Sequence, residues 1–172
     1  MLANMIRAAH ADDFDAIAAI TNHYISTTAI HFAYDPITAD DLRASWHEHP
    51  RHPFLVDDDG TRLLAYAKAT PWRERAAYAW TAEVGIYVAH DARGRRLGTA
   101  LYAALLEEVA ARGFRSAVAG VTLPNDASLV LHARLGFEPV GTFREAGYKL
   151  GAWHDVAFFQ KRLSTDAGPP PP

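Results

Sequence analysis

Arg93-Gly94-Arg95-Arg96-Leu97-Gly98-Thr99-Ala100 is the stretch on which the reading of the fold turns. Before it, Val84-Gly85-Ile86-Tyr87-Val88 is short, β-branched and aromatic, the composition of a strand. After it, Leu101, Leu105, Leu106 and Val109 recur at helical spacing, with Glu107, Glu108 and Arg112 on the other face. A strand that passes through small residues into a helix leaves the first helical N–H groups unpaired. The helix dipole adds partial positive charge at the same end. That end suits an anion such as a pyrophosphate. Taken alone, the pattern also reads as a solvated basic turn, so its surroundings must decide.

Composition bounds the answer. A chain of 172 residues is most simply one domain, long enough to bury roughly 68–70% of the surface its unfolded form exposes. With 17 Lys+Arg against 20 Asp+Glu, the net charge of -3 gives no electrostatic case for nucleic acid or an acidic membrane surface. The absence of cysteine excludes thiol chemistry on the protein and fits a reducing compartment. Met1-Leu2-Ala3-Asn4-Met5 has no basic segment followed by an apolar core, and no later run has the length to span a bilayer. The expectation is a soluble cytoplasmic protein.

Outward from the central stretch, the chain alternates strands and helices. Met5 to Ala8 reads as a first strand, followed by a helix capped by Asp12 and running to about Ser26. Thr38-Ala39-Asp40-Asp41 resembles a capping box and opens a second helix through Leu42 and Trp46. Phe54-Leu55-Val56 and Leu63 to Ala69 form a hairpin about Asp57-Asp58-Asp59-Gly60, and Tyr78 to Val88 gives the next strand. The helix after the basic turn stops at Gly113. Ser116 to Val121 is a nearly continuous apolar run, as in a strand buried on both faces. Leu123-Pro124-Asn125-Asp126 then caps a helix ending at Gly136, and strands Phe137 to Phe143 and Trp153 to Leu163 follow. The order β-α-α-β-β-β-α-β-α-β-β predicts an α/β (α+β) domain over residues 5–163, one mixed and mostly antiparallel sheet flanked by about four helices. Residues 164–172 end in four prolines and are expected to be a disordered tail.

From Met5 to Leu163 the chain resembles the GNAT-superfamily N-acetyltransferases, and within them the phosphinothricin and methionine sulfoximine N-acetyltransferases. The resemblance is carried by Ile6-Arg7, Tyr24 to Phe32, Ala69-Thr70-Pro71-Trp72-Arg73, Thr81-Ala82-Glu83, Tyr87-Val88 and the basic turn. It continues through Leu123-Pro124-Asn125-Asp126-Ala127-Ser128, His132-Ala133-Arg134-Leu135-Gly136-Phe137 and Gly151-Ala152-Trp153-His154-Asp155. It implies acetyl-CoA as cosubstrate, no metal, a small amino-acid-like amine as acceptor, and a homodimer with Lys149 to Asp155 near the subunit contact. Implied acetyl-CoA contacts are Ile86, Tyr87, Val88, Arg93, Gly94, Arg95, Arg96, Leu97, Gly98, Thr99, Asn125 and Ser128. Arg96 replaces the first glycine of the superfamily's phosphate motif, which leaves the backbone donors and adds a cation.

Acetyl transfer to an amine needs a base, because an alkylammonium cannot attack, and a donor for the oxygen that gathers charge. Glu83, a carboxylate inside a strand, reads either as that base or as a solvent-facing residue, and the resemblance favours the base. His132 would otherwise be a packing histidine among leucines. The resemblance gives it a role in protonating the leaving thiolate or contacting the cosubstrate. It also places the oxyanion donor at the Val88 N–H, within a residue or two. Arg73 and Arg75, which suit carboxylate or phosphinate, together with Phe32, Tyr78, Glu83 and Tyr87, are the implied acceptor contacts. Val84-Gly85 departs from the small polar pair usual in that branch. Two alternatives remain at this stage: the same transfer to another small amine, and a non-catalytic acyl-CoA-binding module. His47, His49 and His52 lack a convincing fourth ligand and read as ordinary histidines.

Overall fold

The computed structural model describes residues 5–95, 97–165 and 168. Seven strands form one sheet: β1 (Met5–Ala8), β2 (Phe54–Asp58), β3 (Leu63–Pro71), β4 (Thr81–Val88), β5 (Ser116–Thr122), β6 (Glu138–Lys149) and β7 (Ala152–Arg162). Their spatial order is β1-β2-β3-β4-β5-β7-β6. Every neighbouring pair is antiparallel except β4 and β5. Four helices cover it: α1 (Phe14–Thr27), α2 (Ala39–Glu48), α3 (Leu97–Ala111) and α4 (Asp126–Arg134). This is the single mixed sheet with four helices expected from the element order.

The two faces have separate cores. On one, α1 presents Phe14, Ile17, Tyr24 and α2 presents Leu42 to Phe54, Val56, Leu64 and Tyr66. On the other, α3 presents Leu101, Tyr102, Leu105 and Val109 to Ala67, Ala69, Ala82, Val84 and Ala117. The small residues of β3 and β4 let this helix lie close to the sheet. Truncating a fully buried leucine of α3 to alanine costs about 2–5 kcal/mol. A Schellman motif ends α3: Gly113 N–H donates to Ala110 O (2.9 Å) and Phe114 N–H to Val109 O (3.3 Å).

Three boundaries differ from the sequence reading, each through tertiary contact. Asp12 lies in a short 3-10 turn before α1, and the anchoring carboxylate is Asp13, which accepts from His10 N–H at 2.7 Å and pairs with Arg7. Tyr78 belongs to another 3-10 turn, so β4 begins at Thr81. β6 continues past Phe143 to Lys149, because a register shift between Phe143 and Gly147 hides its alternation. The Thr38 capping box forms as read, with the Thr38 hydroxyl accepting from Asp41 N–H at 3.1 Å. The proline tail expected to be disordered falls largely at residues 166–167 and 169–172, outside the described residues. Among the described residues no helix is long and apolar enough to cross a membrane.

Candidate active site

β4 and β5 are paired only from Thr81 to Glu83 against Ser116 to Val118. Beyond that register they part, and a cavity of about 470 Å³ fills the gap between Val84–Val88 and Ala119–Thr122. Backbone alternation fixes what faces it. Ala89 N–H donates to Leu64 O of β3 at 2.8 Å, so the N–H groups of Val88 and Ile86 turn away from β3 into the gap. Carbonyls on the same edge agree: Val84 O accepts from the Tyr102 hydroxyl at 3.2 Å and Val88 O from the Tyr24 hydroxyl at 2.7 Å. The wall of the gap is therefore an inner strand edge with its N–H donors at Ile86 and Val88 directed into the cavity.

The basic turn closes one end. Gly94 has φ of 78° and no atom within 4 Å of where a Cβ would stand, so the left-handed backbone, not space, requires glycine there. Arg93 packs its guanidinium 5.0 Å over the Tyr24 ring and donates to that hydroxyl at 3.3 Å. Leu97, Gly98 and Thr99 open α3, and with Arg93, Gly94 and Arg95 they line the cavity. Arg96, expected to add a cation, lies outside the described residues. On the opposite wall Asn125 Oδ1 accepts from Ser128 N–H at 3.2 Å, capping α4, and both residues face the cavity. A helix start, a basic turn and a strand edge with free donors fit an elongated ligand that carries phosphates at one end and amides along its length. Among the described residues no three His, Cys, Asp or Glu side chains gather as a metal would need.

Glu83 is the last residue of β4 paired with β5, at the point where the gap opens. Burial raises its pKa above the ordinary carboxylate value, opposed by the charge of Arg73 and then of Lys68. Arg73 lies over Trp72 at 5.0 Å, and Tyr78 packs edge-on against the same indole at 5.1 Å. Arg75 is exposed at the head of the 3-10 turn. Tyr87 stacks on Tyr66 at 5.2 Å and meets Tyr24 edge-on, and burial pushes its hydroxyl up to about 12. It is neutral at any physiological pH. Phe32, on the loop after α1, packs against β6 where Gly147 leaves room.

Residues unread in the sequence complete this corner. His31 stands 6.1 Å from Tyr87 between ring centroids, and burial, then the charges of Lys68 and Lys149, lower its pKa. Lys149, itself buried, donates to Ile25 O (2.6 Å) and His31 O (2.5 Å), fastening the loop to the sheet. A lone lysine in the apolar run of β3 was the available signal for Lys68. His31 carried none.

His132, expected as a catalytic group, is only 3% exposed. Its Nδ1–H donates to Ser128 O at 2.8 Å, its Nε2 meets the Tyr102 hydroxyl at 3.2 Å, and Phe137 and Phe159 flank the ring. Burial lowers its pKa, so the ring is neutral with a free electron pair on Nε2. Both His132 and Tyr102 border the cavity. Tyr102, a core helix residue by spacing, carries the hydroxyl that links His132 to β4.

The Acetyltransferase (GNAT) family profile matches residues 15–137. The chain belongs to the GNAT acetyltransferase family. A phosphinothricin N-acetyltransferase of Streptomyces viridochromogenes is 43% identical over 96% of this chain and 91% of its own. An L-methionine sulfoximine/L-methionine sulfone acetyltransferase of Pseudomonas aeruginosa is 34% identical over 96% and 98%. Among solved structures, a GNAT-superfamily phosphinothricin acetyltransferase of Sinorhizobium meliloti in complex with acetyl-CoA superimposes with a TM-score of 0.92 at 31% identity, covering 99% of this chain and 94% of that one. The GNAT fold and an acetyl-CoA-dependent N-acetyltransferase activity follow for this chain.

Proposed function

We propose that this GNAT enzyme acetylates the amino group of a small amino acid of the phosphinothricin or methionine sulfoximine type by direct attack, with Glu83 as general base. The observation that carries this reading is the position of Glu83, a half-buried carboxylate with a raised pKa at the apex of the gap. An ammonium at that apex loses its proton to Glu83, and the freed amine stands beside the inner edge of β4. Acetyl-CoA supplies a thioester carbonyl, whose C–S bond breaks as the N–C bond forms, and the thiolate leaves with the proton that the acylated nitrogen sheds. The Val88 N–H, or that of Ile86, faces the oxygen that gathers charge.

Arg93, Gly94, Arg95 and Arg96 with the first N–H groups of Leu97, Gly98 and Thr99 hold the pyrophosphate. Ile86, Tyr87, Val88, Asn125 and Ser128 flank the arm. Phe32 and Tyr87 wall the acceptor, while Arg73, with Arg75 and Tyr78 at the mouth, takes its anionic end. His132 and Tyr102 act as a pair at this wall, the single Tyr102 hydroxyl proton passing between Val84 O and the His132 Nε2 electron pair, and the pair serves the leaving thiolate or contacts the cosubstrate.

A homodimer in the cytoplasm completes the proposal. Val140 and Phe143 are 66% and 65% exposed on β6, the 12-residue edge strand, and Trp153 is 61% exposed on the adjoining β7, a surface that a second copy would cover. Dependence on acetyl-CoA, an intracellular thioester, supports the compartment.

CoA release measured over a panel containing phosphinothricin, methionine sulfoximine, other amino acids and a polyamine tests the substrate class. Turnover of the first two supports it. Turnover confined to the other amines overturns it.

A further inference from the structure

Lys68 is a long cation in a strand otherwise made of Leu, Ala and Tyr, and the fold places it beside the base. In the antiparallel register of β3 and β4, Thr70 stands opposite Glu83 and Lys68 opposite Gly85. Directly opposed residues share a face, so Lys68 and Glu83 lie on the same side of the sheet as diagonal neighbours, about 7–8 Å apart at the backbone. Trp72, which would follow on the other diagonal, carries Arg73 next to it. Glu83 therefore has Lys68 beside it on β3, and Arg73 acts on it from the bend that follows that strand.

The residue opposite Lys68 has no side chain. A Cβ built on Gly85 meets only Tyr87 Cε2, at 4.0 Å, and Gly85 lines the cavity. Gly85 thus puts no side chain between Lys68 and Tyr87. Lys68 lines a small hollow with Trp46 and Phe54 under α2, beside the main cavity and not within its wall, and its charge acts on Glu83 and on His31 of the overlying loop. Among the described residues its ammonium has no hydrogen bond and no carboxylate within ion-pair distance. Burial lowers the Lys68 pKa, opposed by the charge of Glu83, and an anion brought by a ligand would favour its charged form.

Resting on the acceptor class proposed above, we propose that Lys68 is a specificity-determining residue that takes a second anionic group of the acceptor, at the end of its side chain. Arg73 takes one anion and Lys68 the other, with the amine held at Glu83 between them. The preferred acceptor is a dianionic amino acid, with a phosphinate or carboxylate on its side chain. An acceptor ending in an uncharged sulfone leaves Lys68 unpaired.

Phosphinothricin and methionine sulfone test this, because their side chains end in tetrahedral groups of similar shape, one anionic and one neutral. The readout is the ratio of their kcat/KM values in wild type, Lys68→Met and Lys68→Arg. Lys68→Met should lower the phosphinothricin-to-sulfone ratio at least tenfold, mainly through the KM for phosphinothricin, and Lys68→Arg should restore most of it. Any change in Glu83 basicity acts on both acceptors and cancels in the ratio. An unchanged ratio in Lys68→Met overturns the assignment, as does a ratio that Lys68→Arg fails to recover while its melting temperature and acetyl-CoA KM match wild type. If wild type turns over neither acceptor, the acceptor class itself is wrong and the role of Lys68 falls with it.

Discussion

Gly147→Ala is a one-carbon change aimed at the acceptor wall. A Cβ at this position would stand 2.6 Å from Cζ and 2.9 Å from Cδ2 of Phe32. Carbon atoms in comfortable contact are about 3.5–4.0 Å apart, so the ring must retreat by about 1 Å. His154, in register with Gly147 and 6.4 Å from the Phe32 ring between centroids, limits where it can go. Overpacking of this kind costs about 1–3 kcal/mol, which in a chain of this size lowers the melting temperature by about 2–12 °C. A displacement of about 1 Å in a positioning group can cost up to about a hundredfold in rate. The expected result is a tenfold to hundredfold fall in kcat/KM for the acceptor, with the KM for acetyl-CoA unchanged, because the cosubstrate cavity does not include Phe32. Steady-state kinetics with each substrate varied in turn and a thermal melt check it. Adding Phe32→Leu should recover the melting temperature while the acceptor defect persists. Wild-type acceptor kinetics in Gly147→Ala, or a defect confined to acetyl-CoA, would refute the placement of Phe32 at the acceptor.

Glu83→Gln should lower kcat by about 10²–10⁴ without weakening acetyl-CoA binding by calorimetry. Because burial raises the Glu83 pKa, the wild-type rate should fall with acidification starting above the ordinary carboxylate range, and this limb should vanish in the variant. His52 gives a stability prediction. Burial against Phe114, then the charges of His49, Arg51 and Arg112, lower its pKa from 6.5 to about 4. Between those values the unfolded chain binds the proton and the folded chain does not, so stability falls as pH falls through the window. With screening at a part-exposed ring, about 1–2 kcal/mol is at stake. Denaturant titrations at pH 7 and pH 4 should show that difference shrink in His52→Phe, and an unchanged difference would clear His52 of the effect.

Local signals in the sequence were read well because their physics is local. The Thr38 box, the Asn125 cap and the stop at Gly113 each depend on residues within a single turn. The candidate site's positions came from the resemblance, and the sequence was silent where strand register decides who meets whom. Lys68 and Glu83 are 15 residues apart in sequence, and only the pairing of Thr70 with Glu83 makes them neighbours. Tyr102 fits the apolar stripe of α3 so well that its hydroxyl was invisible, and only the third dimension sets it against Val84 and His132. Ser116 to Val121 was expected to be buried on both sides, yet Gly120 is exposed, since β4 has already left its neighbour there.

The parting of β4 and β5 leaves a sheet with a vacant lane in its interior, bordered by two strand edges facing each other. Edges of that kind are templates for any extended chain with amides to offer. In the site proposed above, the amide-bearing arm of the cosubstrate would fill the lane as a surrogate strand, and its arrival would complete the architecture as well as the chemistry. Cosubstrate at a hundred times its dissociation constant adds about 2.7 kcal/mol to folding stability. The persistence of this enzyme in a cell is thereby tied to the supply of its own acyl donor.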